Sequence, residues 1–196
     1  GPNAAGKTTI LRGLFGYIAW LCGTVRWCGK NVCHLRDKQV PRNAVAWVRQ
    51  DRPVFPGLTV EEAIRAAVVG DAFWGLTARL GDLVGRSRAP LRQRLSVVSE
   101  WLPELESRGL LRKRMSALSS GERAIVSLGV GMVNLPSLLC LDEPAANLDT
   151  TMVARLKDVL GRYVAQRGAA CLMIEHRTAF INGFADRVIP VSGPSV

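Results

Sequence analysis

The chain has 196 residues, 48% hydrophobic and 21% charged. That is enough for one hydrophobic core, and the balance excludes disordered, collagen-like and low-complexity classes. Lys and Arg number 26 against 16 Asp and Glu, a formal charge of +10, but the basic residues are spread out. Their denser stretches, Arg79 to Arg94 and Arg108 to Arg114, lack the interleaved aromatics of a base-stacking platform, so no nucleic-acid partner is expected.

In chain order, Gly1-Pro2-Asn3-Ala4-Ala5-Gly6-Lys7-Thr8 fits G-x-x-x-x-G-K-[ST], and a helix is predicted from Thr9 to Phe15 with Ile10, Leu11 and Leu14 on one side. A buried strand normally leads into such a loop. The chain starts on the loop's first glycine, so that strand is expected to be missing and the chain reads as a domain truncated at its N-terminus, with Ser192 to Val196 expected to stop short as well. Leu14 to Cys22, interrupted by Gly16, is the longest apolar run and falls short of the about 20 residues of a spanning helix. No signal peptide is read at the start, which makes the cytoplasm the expected compartment.

Residues 24–33 read as two extended pieces around a turn at Gly29, and Val45–Arg49 as a short strand. Beyond Pro53, Pro56 and Gly57 the pattern becomes helical, with segments Glu61 to Val69 and Leu91 to Trp101. A β/α alternation returns with a helix from Ser120 to Val133, an apolar strand Leu138 to Leu141, a helix from Thr150 to Arg167 and a strand Ala170 to Ile174. The expectation is an α/β fold: a P-loop NTPase core with a mostly parallel sheet, an N-terminal antiparallel β part and an inserted helical subdomain. The core would take residues 1–57 and 118–196, and the insert about 58–117. Of the five cysteines, Cys140 and Cys171 lie in apolar runs like reduced core thiols. Cys22, Cys28, Cys33 and His34 lack the close pairing of a zinc site.

Three stretches carry chemistry. Gly1, Pro2, Asn3, Ala4, Ala5, Gly6, Lys7, Thr8 and Thr9 form a candidate phosphate cradle, in which backbone N–H groups face the anion, Lys7 reaches the β- and γ-phosphates and Thr8 can ligate Mg²⁺. Asp142 and Glu143 end an apolar strand at the edge where ligands bind in such sheets. Successive strand side chains point to opposite faces, so Asp142 is assigned to the metal and Glu143 to a water as general base. Leu118-Ser119-Ser120-Gly121-Glu122 opens a helix, which Ser119 or Ser120 can cap and whose N-terminus can face an anion.

With these motifs in this order, the sequence resembles the ATP-binding cassette family over essentially its whole length. Leu118 to Glu122 is similar to the family signature, Ala146 to Asp149 to the loop after the second nucleotide motif, and His176 to the switch histidine. The resemblance implies an ATP- and Mg²⁺-dependent ATPase subunit that dimerises head to tail with itself or a homologous subunit. Ser119, Ser120, Gly121 and Glu122 of one copy would close on nucleotide held by the other, with Asp149 at that interface. Gln50 would reach Mg²⁺ or the attacking water, and His176 the γ-phosphate. Polytopic permease subunits and a solute-binding protein are the implied partners, placing the chain peripherally on the cytoplasmic face of the inner or plasma membrane.

The segment Asp51 to Glu62, together with Ile174-Glu175-His176 and Ala185-Asp186-Arg187, resembles branched-chain amino-acid importers, with Phe55 and Leu58 lining the expected permease dock. Ser120 stands where the family has glycine and Glu122 where it usually has glutamine, so reduced activity is expected. The alternatives are a soluble cassette ATPase of DNA repair or translation, and a non-catalytic regulatory cassette that only binds ATP.

Overall fold

In the computed structural model, which describes residues 6–19, 23–41, 43–49, 56–69 and 91–191, three apolar runs form a parallel sheet. Strands β3 (Val45–Arg49), β4 (Leu138–Asp142) and β5 (Ala170–Ile174) lie in that order with β4 central, pairing Val45 with Leu138 and Leu138 with Ala170. A separate antiparallel hairpin, β1 (Val25–Trp27) and β2 (Lys30–Val32), turns at Cys28 and Gly29. Helices α1 (Lys7–Leu14), α5 (Ser120–Met132) and α6 (Thr150–Arg167) belong to the β/α alternation. Between them come α2 (Val60–Val69), α3 (Leu91–Trp101) and the short α4 (Glu104–Ser107), and α7 (Thr178–Ile181) follows β5. The sheet, the hairpin and the long helices fall where the sequence puts them, within one or two residues; α4 and α7 are four-residue turns too short to show a periodicity.

Strand alternation sends β4 into two cores. Leu139 and Leu141 enter a cluster with Ile125, Leu128 and Met132 of α5 and Leu156, Leu160 and Tyr163 of α6, whereas Cys140 enters a second with Leu11, Phe15, Val32 and Trp47. Each fully buried Leu or Phe contributes about 1.5–3 kcal/mol. Phe15 stacks on Trp47 with ring centroids 4.9 Å apart, fixing α1 against the sheet. The face α1 buries is therefore Leu11 with Phe15, and Ile10, expected on that face, is 39% exposed. Burial pushes the Cys140 thiol up, with Cys171 adding to it, and pushes that of Cys171 up to about 12, so both behave as inert core residues. Among the described residues no three His, Cys, Asp or Glu side chains gather as a metal site, and Cys28 and Cys33 are exposed.

Helices α2, α3 and α4 share the α5 core through Ile64, Val98, Leu102 and Leu105. A polar fastening adds to it: Arg155 of α6 donates from Nη2 to Glu104 Oε2 at 3.0 Å and to Trp101 O at 3.0 Å, and Trp101 Nε1 donates to Gln166 at 2.7 Å. Burial would push the Glu104 carboxyl up, but the hydrogen bonds and charge of Arg155 outweigh it and hold it below its usual value. A carboxyl lowered on folding stabilises above its unfolded value and loses that contribution as pH falls through the folded one. Wild type is thus expected to exceed Glu104→Gln by about 1 kcal/mol at neutral pH, the pair being partly solvated. The gap should close as pH falls below about 4.5, read from denaturant midpoints; a pH-independent gap would refute the pairing.

Strand β5 is hydrogen-bonded to β4 alone among the described residues, with Leu172 37% exposed on it. Val188 and Ile189, in the segment after α7, are 59% and 66% exposed.

Candidate functional site

The site begins where α1 does. Gly6, at φ +82°, occupies a left-handed conformation that favours glycine, and no side-chain hydrogen bond caps the start of α1 among the described residues. A helix start of this kind favours anions. Gly1, Pro2, Asn3, Ala4 and Ala5 lie outside the described residues, as do Gln50 and Phe55. Gly6, Lys7 and Thr8 are half-buried, and Thr9 is exposed on the outer side of the first turn.

Thr8 and Asp142 come together although 134 residues separate them. The Thr8 hydroxyl donates to Asp142 Oδ1 at 3.2 Å, joining the helix start to the end of β4. The next residue, Glu143, turns out of the strand at φ +50°, a strained region for a side-chain-bearing residue, held by its N–H bond to Ile174 O at 2.9 Å. That turn brings Glu143 Oε1 to 3.6 Å from Nδ1 of His176, whose side chain is 43% exposed. The four residues form two pairs at the carboxyl edge of neighbouring strands: a hydroxyl with a carboxylate, and a carboxylate with an imidazole.

The Ser119 hydroxyl accepts from the N–H of Glu122 at 3.2 Å, while Glu122 Oε2 accepts from the Ser119 N–H at 2.9 Å, a complete capping box. The Lys113 ammonium donates to Glu122 Oε1 at 2.7 Å; it and the Ser119 N–H hold the Glu122 carboxyl below its usual value. Glu122 is thus committed to the start of α5. Ser120 stays exposed, and Gly121 lies so near Met152 that a Cβ would meet its side chain at 3.3 Å. Asp149 caps α6 by accepting from the N–H of Met152 at 2.8 Å. Lys113 carried no sequence signal, because a loop lysine looks like any other solvated charge. Beyond Asp142, Arg49, Ser120, Arg123 and Asn147 border a cavity of about 100 Å³, well below the roughly 300–1,000 Å³ of a small-molecule pocket.

Residues 1–146 match the ABC transporter family. The chain belongs to that family. It is an ATPase domain of the ABC fold, and ATP is its nucleotide. Over 198 residues it is 29% identical to the cell division ATP-binding protein FtsE of Streptococcus pneumoniae, covering 100% of this chain and 79% of that protein. It is 24% identical over 192 residues to the high-affinity branched-chain amino acid transport ATP-binding protein BraF of Pseudomonas aeruginosa, covering 98% and 75%. The structure of CbiO1 from Clostridium perfringens, part of the ABC transporter complex CbiONQ, superposes with a TM-score of 0.74 at 21% identity, over 95% of this chain and 68% of that one. Likeness to branched-chain importers therefore does not single out that branch, since a cell-division relative matches at higher identity. No described helix is long and apolar enough to cross a membrane.

Proposed function

We propose that the chain is the ATP-hydrolysing subunit of an ABC importer, with branched-chain amino acids as one candidate cargo. The observation that carries this reading is the meeting of the two pairs, Thr8 with Asp142 at 3.2 Å and Glu143 with His176 at 3.6 Å, at one sheet edge. The N-terminus of α1 and Lys7 bind the β- and γ-phosphates. Mg²⁺ takes oxygen ligands, and the adjacent hydroxyl of Thr8 and carboxylate of Asp142 are a donor set that fits it, with Gln50 as a third ligand. When bound, the ion neutralises charge on the phosphate oxygens. Glu143 orients a water and takes its proton as the water oxygen bonds the γ-phosphorus and the bond to the leaving ADP oxygen breaks. His176 hydrogen-bonds the γ-phosphate.

Ser119, Ser120 and Gly121 face the nucleotide of a second copy or a homologous subunit, Glu122 holds them in place, and Asp149 lies at that interface. The single-domain division, with core 1–57 and 118–196 around an insert of about 58–117, is supported by the helical run between β3 and α5. Permease subunits, with a solute-binding protein outside, place the chain at the cytoplasmic face of the membrane. The FtsE match favours a second reading, in which the same ATPase drives a cell-division complex. Affinity purification of the full-length protein from membranes of its own cells tests both. A polytopic permease among the captured proteins, with loss of branched-chain amino-acid uptake on deletion, is the expected result. Division defects with normal uptake favour the second reading, and capture of ribosomes or DNA overturns both.

A further inference from the structure

One buried carboxylate and one guanidinium, neither used in the reaction above, tie together the two loops that carry Glu143 and His176. Glu175 follows β5 directly, and its side chain is 1% exposed. Its Oε1 accepts from the N–H groups of His176 at 2.8 Å and Arg177 at 2.9 Å, and its Oε2 from the N–H of Ala145 at 3.3 Å. Arg177 works in the other direction. Its Nη1 donates to the carbonyls of Ala145 at 2.7 Å and Leu148 at 2.9 Å. Ala145 is therefore held by its N–H and its C=O at once, by side chains that flank His176 on either side.

A buried carboxylate stripped of a donor leaves a costly unsatisfied group, so the loops separate only against a steep penalty. Charge-assisted bonds are also the shorter and stiffer kind. The tied residues are neighbours of the reacting ones: Ala145 lies two residues beyond Glu143, and Leu148 immediately precedes Asp149. His176 Nδ1 stands 3.6 Å from Glu143 and 3.8 Å from Glu175. A shift of residues 145–149 must carry the backbone of His176 with it.

We propose that Glu175 and Arg177 are positioning residues that hold His176 in register with Glu143 and transmit movement of the Ala145–Asp149 loop to that pair. The effect on turnover rests on the ATPase reading above; the mechanical tie between the loops does not. Glu175→Gln keeps the shape but turns one acceptor oxygen into a donor, which must face an N–H group. In the full-length protein within its complex, supplied with Mg²⁺ and ATP, the variant is expected to lose about tenfold or more in kcat, the scale of a misplacement well under 1 Å, with KM for ATP unchanged. In a His176→Ala background Glu175→Gln should cost nothing further, because both changes act through one group.

Amide hydrogen exchange reads the tie independently of activity. Protection at residues 145–148 and at 176–177 should fall together in Glu175→Gln and also in Arg177→Met, which cuts from the opposite side and serves if Glu175→Gln does not fold. Exchange rising only in the substituted loop overturns the tie. An unchanged kcat despite joint loss of protection, or a full multiplicative loss in the His176→Ala background, overturns the positioning role. A wild type without turnover overturns the ATPase reading instead, and the exchange result still decides the tie.

Discussion

Replacing Glu143 by Gln in the full-length protein is expected to leave ATP binding as it is and to slow phosphate release by at least about 10²-fold, the contribution of a positioned general base. The two side chains have the same shape, and the backbone at φ +50° is fixed by the bond from the Glu143 N–H to Ile174 O, so the substitution removes a proton acceptor without moving the loop. Thr8, Asp142 and the N-terminus of α1 are untouched, which is why affinity stays. Calorimetric titration with ATP and single-turnover phosphate release separate the two effects. Equal turnover in the variant would strip Glu143 of its role and hand proton acceptance to another group; loss of binding would mean that the carboxylate acts on the ground state.

A second substitution should act on stability alone. Gly131 lies buried on α5, and a Cβ there would overlap Cγ2 of Val48 on β3. Val48 cannot retreat easily, since it is β-branched and locked in register opposite Leu141. Ala is a better helix former than Gly by about 1 kcal/mol, but overpacking a tight core costs typically about 1–3 kcal/mol, so Gly131→Ala should lose up to about 2 kcal/mol net. Gly161 is the counterexample. It sits inside α6, where a Cβ meets only Phe184 at 4.0 Å, and Gly161→Ala should gain about 0.5–1 kcal/mol. At about 2–4 °C per kcal/mol for a chain of this size, opposite Tm shifts are measurable. A stabilised Gly131→Ala would mean that β3 and α5 are not packed as closely as described.

The runs that became β3 and β4 were readable because a strand covered on both faces is largely apolar, and β5 kept an apolar run although its residues are only half-buried or exposed. The loop ending in Lys7 and Thr8 and the acids after Leu141 were readable because phosphate chemistry demands those types at those spacings. Glu175 and Arg177 were not. A carboxylate buried after a strand and an arginine two residues later look like any surface pair until the chain folds and Ala145, 30 residues earlier, is brought against them. Part of the basic charge likewise works inside the fold, where Arg155, Arg177 and Lys157 each hold carboxylates or carbonyls. Glu122, assigned to the nucleotide by resemblance, also closes a capping box with Ser119 at the start of α5.

That β5 pairs with β4 alone among the described residues has a practical consequence. Among the described residues the second edge of β5, beside an exposed Leu172, is a template onto which another strand can add. Edge-to-edge association is therefore expected of the isolated chain, and concentration-dependent light scattering would precede any enzymology on it. Quantities that depend on a well-defined subunit stoichiometry are best measured with the chain's partners present.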